Sequence, residues 1–258
     1  MSEKTAPVLI ALCPTYKRPD LLANAVACFE NQSYPLKRLL ILDDAGQWPA
    51  PISSQQWVLK TTKERFPNLP KKYNAMVEMA LSCFIRRVAW PGQQHVVFVV
   101  WEDDDMYLPE HLEQIAAAYK ASAADDVFLR ARQVYSTYAQ PFGGVQLEDA
   151  SGRFHSSWAF SASLLDKVGG WPDTDLLIFD QQFGQTLLNE AEETVYYDKH
   201  SPSYIYRWGN GHWHGSQQGD DGFQALWNDL ASKPTQPVKD WRPHFDEETN
   251  AIFNELGC

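Results

Sequence analysis

No apolar run in this sequence approaches the roughly 20 residues that a helical membrane span requires. Val96 to Trp101 is strongly apolar but runs straight into Glu102 and three aspartates. The opening stretch, Met1 to Pro7, is polar, and the apolar run behind it, Val8 to Leu12, is too brief for the core of a secretion signal. Together these absences predict a cytoplasmic protein without a transmembrane segment. Cysteine is scarce, and Cys13, Cys28, Cys83 and Cys258 show no paired spacing. A cysteine metal site or disulfide framework is therefore not indicated, and buried free thiols in a reducing compartment are expected. Excess positive charge is also lacking: 22 Lys and Arg stand against 33 Asp and Glu, a formal net charge of -11. With no global field to attract a polyanion, nucleic acid is not an expected partner. Internal repeats and low-complexity tracts are absent as well.

What is present suits one substantial core: 258 residues, 44% of them hydrophobic. Through the first half, short apolar runs alternate with amphipathic segments, the pattern of strands joined by crossover helices in an α/β fold. Strands are predicted at Val8 to Cys13, Arg38 to Leu42, Gln56 to Lys60 and Val96 to Trp101. The last is the most apolar and is placed at the sheet centre, because parallel strands covered on both faces lack alternation. Helices are predicted from Pro19, over roughly Tyr73 to Arg86, and from Pro109. Pro19 and Asp20 suit a first helical turn, where a missing N–H is tolerated and a carboxylate is favoured. Beyond Asp125 the pattern turns strand-like, at Val127 to Leu129, Val134 to Tyr138, Gly144 to Leu147, Thr194 to Tyr197 and Ser203 to Trp208. Helices are expected at Ser161 to Val168 and Asp180 to Glu190. The change near Asp125 divides one continuous domain into residues 1–124 and a second half, 125–258. Gly209 to Gly222, rich in Gly, Gln and His, reads as a mobile loop.

The strongest chemical signal is V-V-F-V-V-W-E-D-D-D-M-Y-L-P, in which a buried strand delivers Glu102, Asp103, Asp104 and Asp105 to its carboxyl end. Ligands of open α/β sheets bind outside the carboxyl ends of the strands. Hard divalent cations prefer oxygen donors, and magnesium is commonly held by carboxylates together with substrate phosphates. A solvated acidic turn ahead of the next helix is the plainer reading.

Four segments in order, A-L-C-P-T-Y-K-R-P-D-L-L, L-L-I-L-D-D-A, L-P-K-K-Y-N-A and E-D-D-D-M-Y-L-P, resemble the inverting glycosyltransferases of the GT-A fold, especially family 2. The resemblance implies a Rossmann-like, mixed but mainly parallel sheet with flanking helices and a C-terminal acceptor-side lobe. It implies transfer of a sugar from a nucleotide diphosphate, by family default a UDP-sugar, to a carbohydrate or other hydroxyl acceptor. By the same resemblance Pro14, Thr15 and Tyr16 match the loop that holds the nucleoside, and Arg18 lies near enough to meet a phosphate. Asp44 matches the carboxylate that accepts from the base, and Lys72 and Asn74 the polar pair lining the nucleotide pocket. Asp103 to Asp105 look like the D-x-D region, with Asp104 and Asp105 on the metal and Asp103 on the ribose.

In the second half, V-G-G-W-P-D followed by F-D-Q-Q-F resembles the acceptor-side segment, and Asp180 occupies the position of the catalytic base. The family's usual Glu-Asp pair is Phe179-Asp180 here, and Asp173 and Asp175 are competing candidates. Y-I-Y-R-W-G-N-G-H-W-H-G-S resembles a closing segment whose histidine reaches the metal. His214 fits the spacing best, with His212 close behind, and imidazole suits manganese and softer ions better than magnesium. Trp158 and Trp171 are candidate acceptor-binding aromatics, since indole faces supply contact area to a sugar and pack cores equally well. Two other readings stay open. A nucleotidyltransferase would use a similar sheet, although C-P-T-Y-K-R-P-D lacks the glycines of its usual phosphate loop. A sugar-nucleotide-binding protein without catalysis is the second.

Overall fold

The computed structural model describes residues 4–49, 51–85, 95–137, 144–151, 153–176, 178–198, 201–207, 228, 232–239 and 241–258. An eight-stranded sheet forms the centre, in the order β11-β7-β10-β5-β1-β2-β4-β3. Its strands are β1 (Val8–Thr15), β2 (Lys37–Asp43), β3 (Ile52–Ser53), β4 (Trp57–Thr61), β5 (Val96–Val100), β7 (Val127–Arg130), β10 (Trp158–Ser161) and β11 (Glu193–Tyr196). The strands β5, β1, β2 and β4 run parallel, whereas β10 lies antiparallel to both β5 and β7. β5 and β1 occupy the middle of the order, as the apolar character of Val96 to Trp101 predicts. β7, β10 and β11, from the second half of the chain, hydrogen-bond into this same sheet. Trp158 to Ser161 is a strand that the sequence pattern did not separate from its neighbours.

The two-residue period of the strands divides the core. Leu9, Ala11 and Cys13 of β1 point into one apolar cluster, with α1 (Pro19–Glu30) and α3 (His111–Ala121) above them. Val8, Ile10 and Leu12 point into the other, with α2 (Leu69–Ala80), α4 (Ala162–Val168) and α5 (Phe179–Glu190). Each buried aliphatic side chain contributes roughly 1.5–3 kcal/mol, so strands with both faces covered are the main source of stability. α2 begins at Leu69, four residues before the expected Tyr73, because Asn68 caps it by accepting from the Lys71 N–H at 2.9 Å. It runs on as a π-helical turn over Leu81–Ile85.

A second sheet, β6-β12-β8-β9, is built from β6 (Met106–Tyr107), β8 (Gln133–Thr137), β9 (Val145–Asp149) and β12 (Tyr204–Arg207). β6 leaves the acidic run directly, so this sheet lies against that run. The C-terminal α6 (Glu247–Leu256) was not anticipated from sequence. Its signals were there: Asp246 caps it through the Thr249 N–H at 2.8 Å, Glu247 and Glu248 fill the first turn, and Gly257 ends it. Trp241 packs edge-on to Trp48 and Trp57 and ties the approach to α6 back to the first half. Among the described residues, no helix is long and apolar enough to cross a membrane.

Gly184 lets α5 approach the sheet, for a Cβ there would meet Trp158 Cη2 at 2.4 Å. Gly184→Ala should therefore overpack the core by about 1–3 kcal/mol and lower Tm by roughly 3–10 °C. An unchanged melting curve would show that α5 lies further from the indole.

Candidate active site

Parallel register brings the chemistry to one edge. Thr15 of β1 pairs with Asp43 of β2, Asp43 pairs with Thr61 of β4, and Leu12 pairs with Val100 of β5. The loops that leave these strand ends carry Tyr16 to Arg18, Asp44, and Glu102 to Asp105. Buried β-structure stops where the carboxylates begin, because four adjacent charges cannot continue inside an apolar sheet.

The acids are answered from three other parts of the chain: Arg18, the His155–Ser156 pair, and Tyr204 with Arg207. Arg18 Nη2 lies 2.8 Å from Asp103 Oδ1 as an ion pair, and its Nη1 donates to Asp104 Oδ2 at 2.8 Å. Burial works against the charge on Arg18, but Asp103 and Asp104 outweigh it and raise its pKa. Asp105 accepts from Tyr204 Oη at 2.6 Å, Ser156 Oγ at 2.8 Å and the Arg207 N–H at 3.0 Å. Glu102 Oε1 accepts from His155 Nδ1 at 3.0 Å. One oxygen from each of Glu102, Asp104 and Asp105 lies within 4.8 Å of the others, so these three can converge on one cation. Oxygen donors alone make up the trio, the set a hard divalent ion prefers.

The neighbouring loop supplies a second charged pair. Lys72 Nζ donates to Asp44 Oδ1 at 2.6 Å and to the Thr15 carbonyl at 2.7 Å, and Asp44 Oδ2 accepts from the Phe66 N–H at 3.0 Å. Burial lowers the pKa of Lys72, opposed by Asp44. Tyr16 carries the Arg65 guanidinium over its ring at 4.3 Å. A cleft of 490 Å³ lined by Thr62 to Pro67 opens beside these groups.

The sequence-derived residues thus divide. Pro14, Thr15, Tyr16, Arg18, Asp44, Lys72, Asp103, Asp104 and Asp105 gather at the carboxyl ends of β1, β2 and β5. Asn74 faces elsewhere: its amide donates to the Trp171 carbonyl and accepts from the Trp171 N–H, both at 2.9 Å. Asp180 is in the first turn of α5, with its carboxylate on the Gln181 N–H at 2.8 Å and on Gln181 Nε2 at 3.1 Å. The cap position of α5 belongs to Ile178. His212 and His214 lie outside the described residues, as does the loop Gly209 to Gly222. Trp158 and Trp171 require correction as acceptor-binding aromatics. They are 1% and 2% exposed, and Trp171 is stacked between Tyr73 at 4.7 Å and Phe183 at 4.4 Å, so neither offers a face to a sugar. His155 was not singled out from sequence, and Glu102 was named in the acidic run without a ligand role of its own. Glu102 had a usable signal in its place directly after the strand, whereas His155 is met only in three dimensions.

Burial pushes the Asp103 carboxyl up from 3.8 to about 6, with Arg18 pulling it down and Asp104 pushing it up again. Between about pH 4 and pH 6 the folded state therefore keeps a proton that the unfolded chain has released, and stability falls as pH rises through that window. In cation-free buffer this one group should cost the parent on the order of 1–3 kcal/mol between pH 4 and pH 7. Asp103→Asn should flatten that part of the Tm–pH profile, and parallel profiles for parent and variant would rule the effect out.

No protein-family model matches this sequence, and no curated protein matches it. Solved structures do. TarS residues 1–349 from S. aureus, in complex with UDP-GlcNAc, superposes with a TM-score of 0.56 at 12% identity, over 86% of this chain and 65% of that one. The same piece of TarS in another crystal structure gives 0.54 at 12% identity, over 77% and 60%. Full TarS gives 0.54 at 12% identity, over 86% of this chain and 39% of that one. The chain spans about 60–65% of the length of the TarS piece that it matches. At this identity the likeness bears on architecture, and it shows that this chain has the fold of the GT-A glycosyltransferases.

Proposed function

We propose that this chain is a metal-dependent inverting glycosyltransferase, moving a sugar from a nucleotide diphosphate to an acceptor hydroxyl. The observation that carries this reading is the convergence of Glu102, Asp104 and Asp105 beside Arg18 and the Lys72–Asp44 pair, at the carboxyl ends of β5, β1 and β2 of a GT-A fold. Nucleotide ligands of such sheets bind at that edge. Tyr16 and Asp44 are suited to the nucleoside, one by its ring and the other by its carboxylate, while Lys72 holds Asp44 in place. Arg18 is the cation nearest the acids and is suited to a phosphate oxygen. The TarS complex holds UDP-GlcNAc, and a UDP-sugar is the donor we assign.

Glu102, Asp104 and Asp105 would hold the cation, which when bound neutralises the charge that develops on the departing nucleoside diphosphate. Manganese rather than magnesium rests on His214 joining that set, as its place in the sequence after Tyr-Arg-Trp suggests. For the base, Asp180 is favoured over its rivals. Asp173 is drawn to Lys71 and Asn68, and those hydrogen bonds hold its carboxyl below the usual range, which weakens it as a base. Asp175 is engaged by Asn68 Nδ2 at 2.9 Å. Asp180 follows Phe179, whose ring meets His155 edge-on at 5.7 Å, so the chain that carries it runs beside the Glu102 end of the acidic run. With one base and one displacement at the anomeric carbon, configuration inverts.

Release of UDP from a panel of UDP-sugars, with and without Mn²⁺, tests the reading. The parent should turn over one donor in a metal-dependent way, and Asp104→Ala should reduce that by roughly a hundredfold or more. Metal-independent turnover, or an unaffected Asp104→Ala, would remove the acids from the mechanism. Asp180→Asn should lower transfer to the acceptor by roughly 10² to 10⁴ while leaving donor affinity close to that of the parent. Transfer at the parent rate would send the search for the base to Asp173 or Asp175.

A further inference from the structure

The side chain of Glu102 is 23% exposed, against 1% for Asp103 and 9% for Asp104. A carboxylate on a flexible stem, beside repelling neighbours, needs something to hold it. Its Oε1 accepts from His155 Nδ1 at 3.0 Å and stands 3.4 Å from Tyr73 Oη, while Oε2 has no hydrogen-bond partner among the described residues. Among the described residues, one oxygen is thus tethered and the other is not.

The direction of the tether follows from its far end. His155 Nε2 lies 3.1 Å from Trp171 Nε1, and an indole nitrogen can only donate. Nε2 therefore accepts, and the ring proton sits on Nδ1, aimed at Glu102. The imidazole is walled by the edges of Tyr73 at 5.2 Å, Trp158 at 5.2 Å and Phe179 at 5.7 Å. Trp171 is itself pinned by its stacking and by the two Asn74 hydrogen bonds to its main chain. Gly170 permits that approach: it has φ 87°, and a Cβ there would meet Asn74 Oδ1 at 2.4 Å. The series runs from helix α2 through Asn74, Trp171 and His155 to one oxygen of Glu102.

The structure assigns His155 as a positioning residue: it holds Glu102 so that Oε2 is presented to the cation, with Trp171 selecting the tautomer that does so. This role rests on reading Glu102, Asp104 and Asp105 as a cation site. Partners that orient a metal ligand through its second atom typically account for 10–100-fold in affinity. A histidine that merely fills the core would have no such effect.

Asparagine and glutamine separate the two cases, because an Asn amide reaches the place of Nδ1 and a Gln amide that of Nε2. Mn²⁺ binding to the full chain, measured by the electron paramagnetic resonance of the free ion, should be within about threefold of the parent for His155→Asn and weaker by about 10–100-fold for His155→Gln. In the parent, ¹⁵N NMR of the imidazole should show the proton on Nδ1. A proton on Nε2, or a His155→Gln variant that binds Mn²⁺ as the parent does, overturns the assignment. A parent that fails to bind Mn²⁺ saturably overturns the cation-site reading, and this role falls with it. Parent binding with both variants unchanged overturns the role of His155 alone.

Discussion

Four consecutive carboxyl groups at the end of one buried strand repel one another, and the surrounding structure is arranged so as to offset that repulsion. Two like charges about 4 Å apart cost about 4 kcal/mol near a protein surface, too much for a domain whose net stability is on the order of 10 kcal/mol. Each acid meets this in its own way. Asp104 takes a hydrogen bond from Arg18, while Asp103 beside the same guanidinium has its pKa raised towards neutrality by burial. Asp105 is surrounded by Ser156, Tyr204 and the Arg207 N–H, and Glu102 is tied to His155. One oxygen from each of Glu102, Asp104 and Asp105 can converge on a single cation.

Helix α2 connects the two ends of this edge. Residues two apart on a helix project about 200° from one another, so Lys72 and Asn74 serve opposite sides of it. Lys72 reaches Asp44 and the end of β1, whereas Asn74 clamps the Gly-Gly-Trp turn that leads towards Asp180. A shift of α2 would move the Asp44 pair and the Trp171–His155–Glu102 series together. The aromatic residues around Trp171 make that connection stiff, because packed rings transmit displacement rather than absorb it. That is a different use for Trp158 and Trp171 from the sugar platform suggested by their place in the chain, and the core claims them because their whole ring faces are covered.

Much of the sheet was legible in the sequence. Apolar runs without alternation marked β1, β2 and β5, and Pro19 with Asp20 marked the start of α1. These are local signals, set by covalent geometry and side-chain polarity within a few residues. β10 was not separated from its surroundings because Trp158 to Ser161 is four residues long and runs into the cap of α4. The C-terminal helix had caps at both ends but an apolar stripe too sparse to draw attention without β9, which it packs against.

A buried parallel strand ending in a block of acid is written in the local pattern of residues, and the resemblance of the motifs to GT-A enzymes put Arg18, Asp44 and Lys72 at the same edge as that block. Which acid faces which partner is settled in three dimensions. Arg18 and Asp104 are 86 positions apart, Glu102 and His155 53, and Asp105 and Tyr204 99. A local pattern reports the period of a segment and the charge at its end, but hydrogen bonds across such distances depend on how whole layers pack, and that packing is a property of all the segments at once.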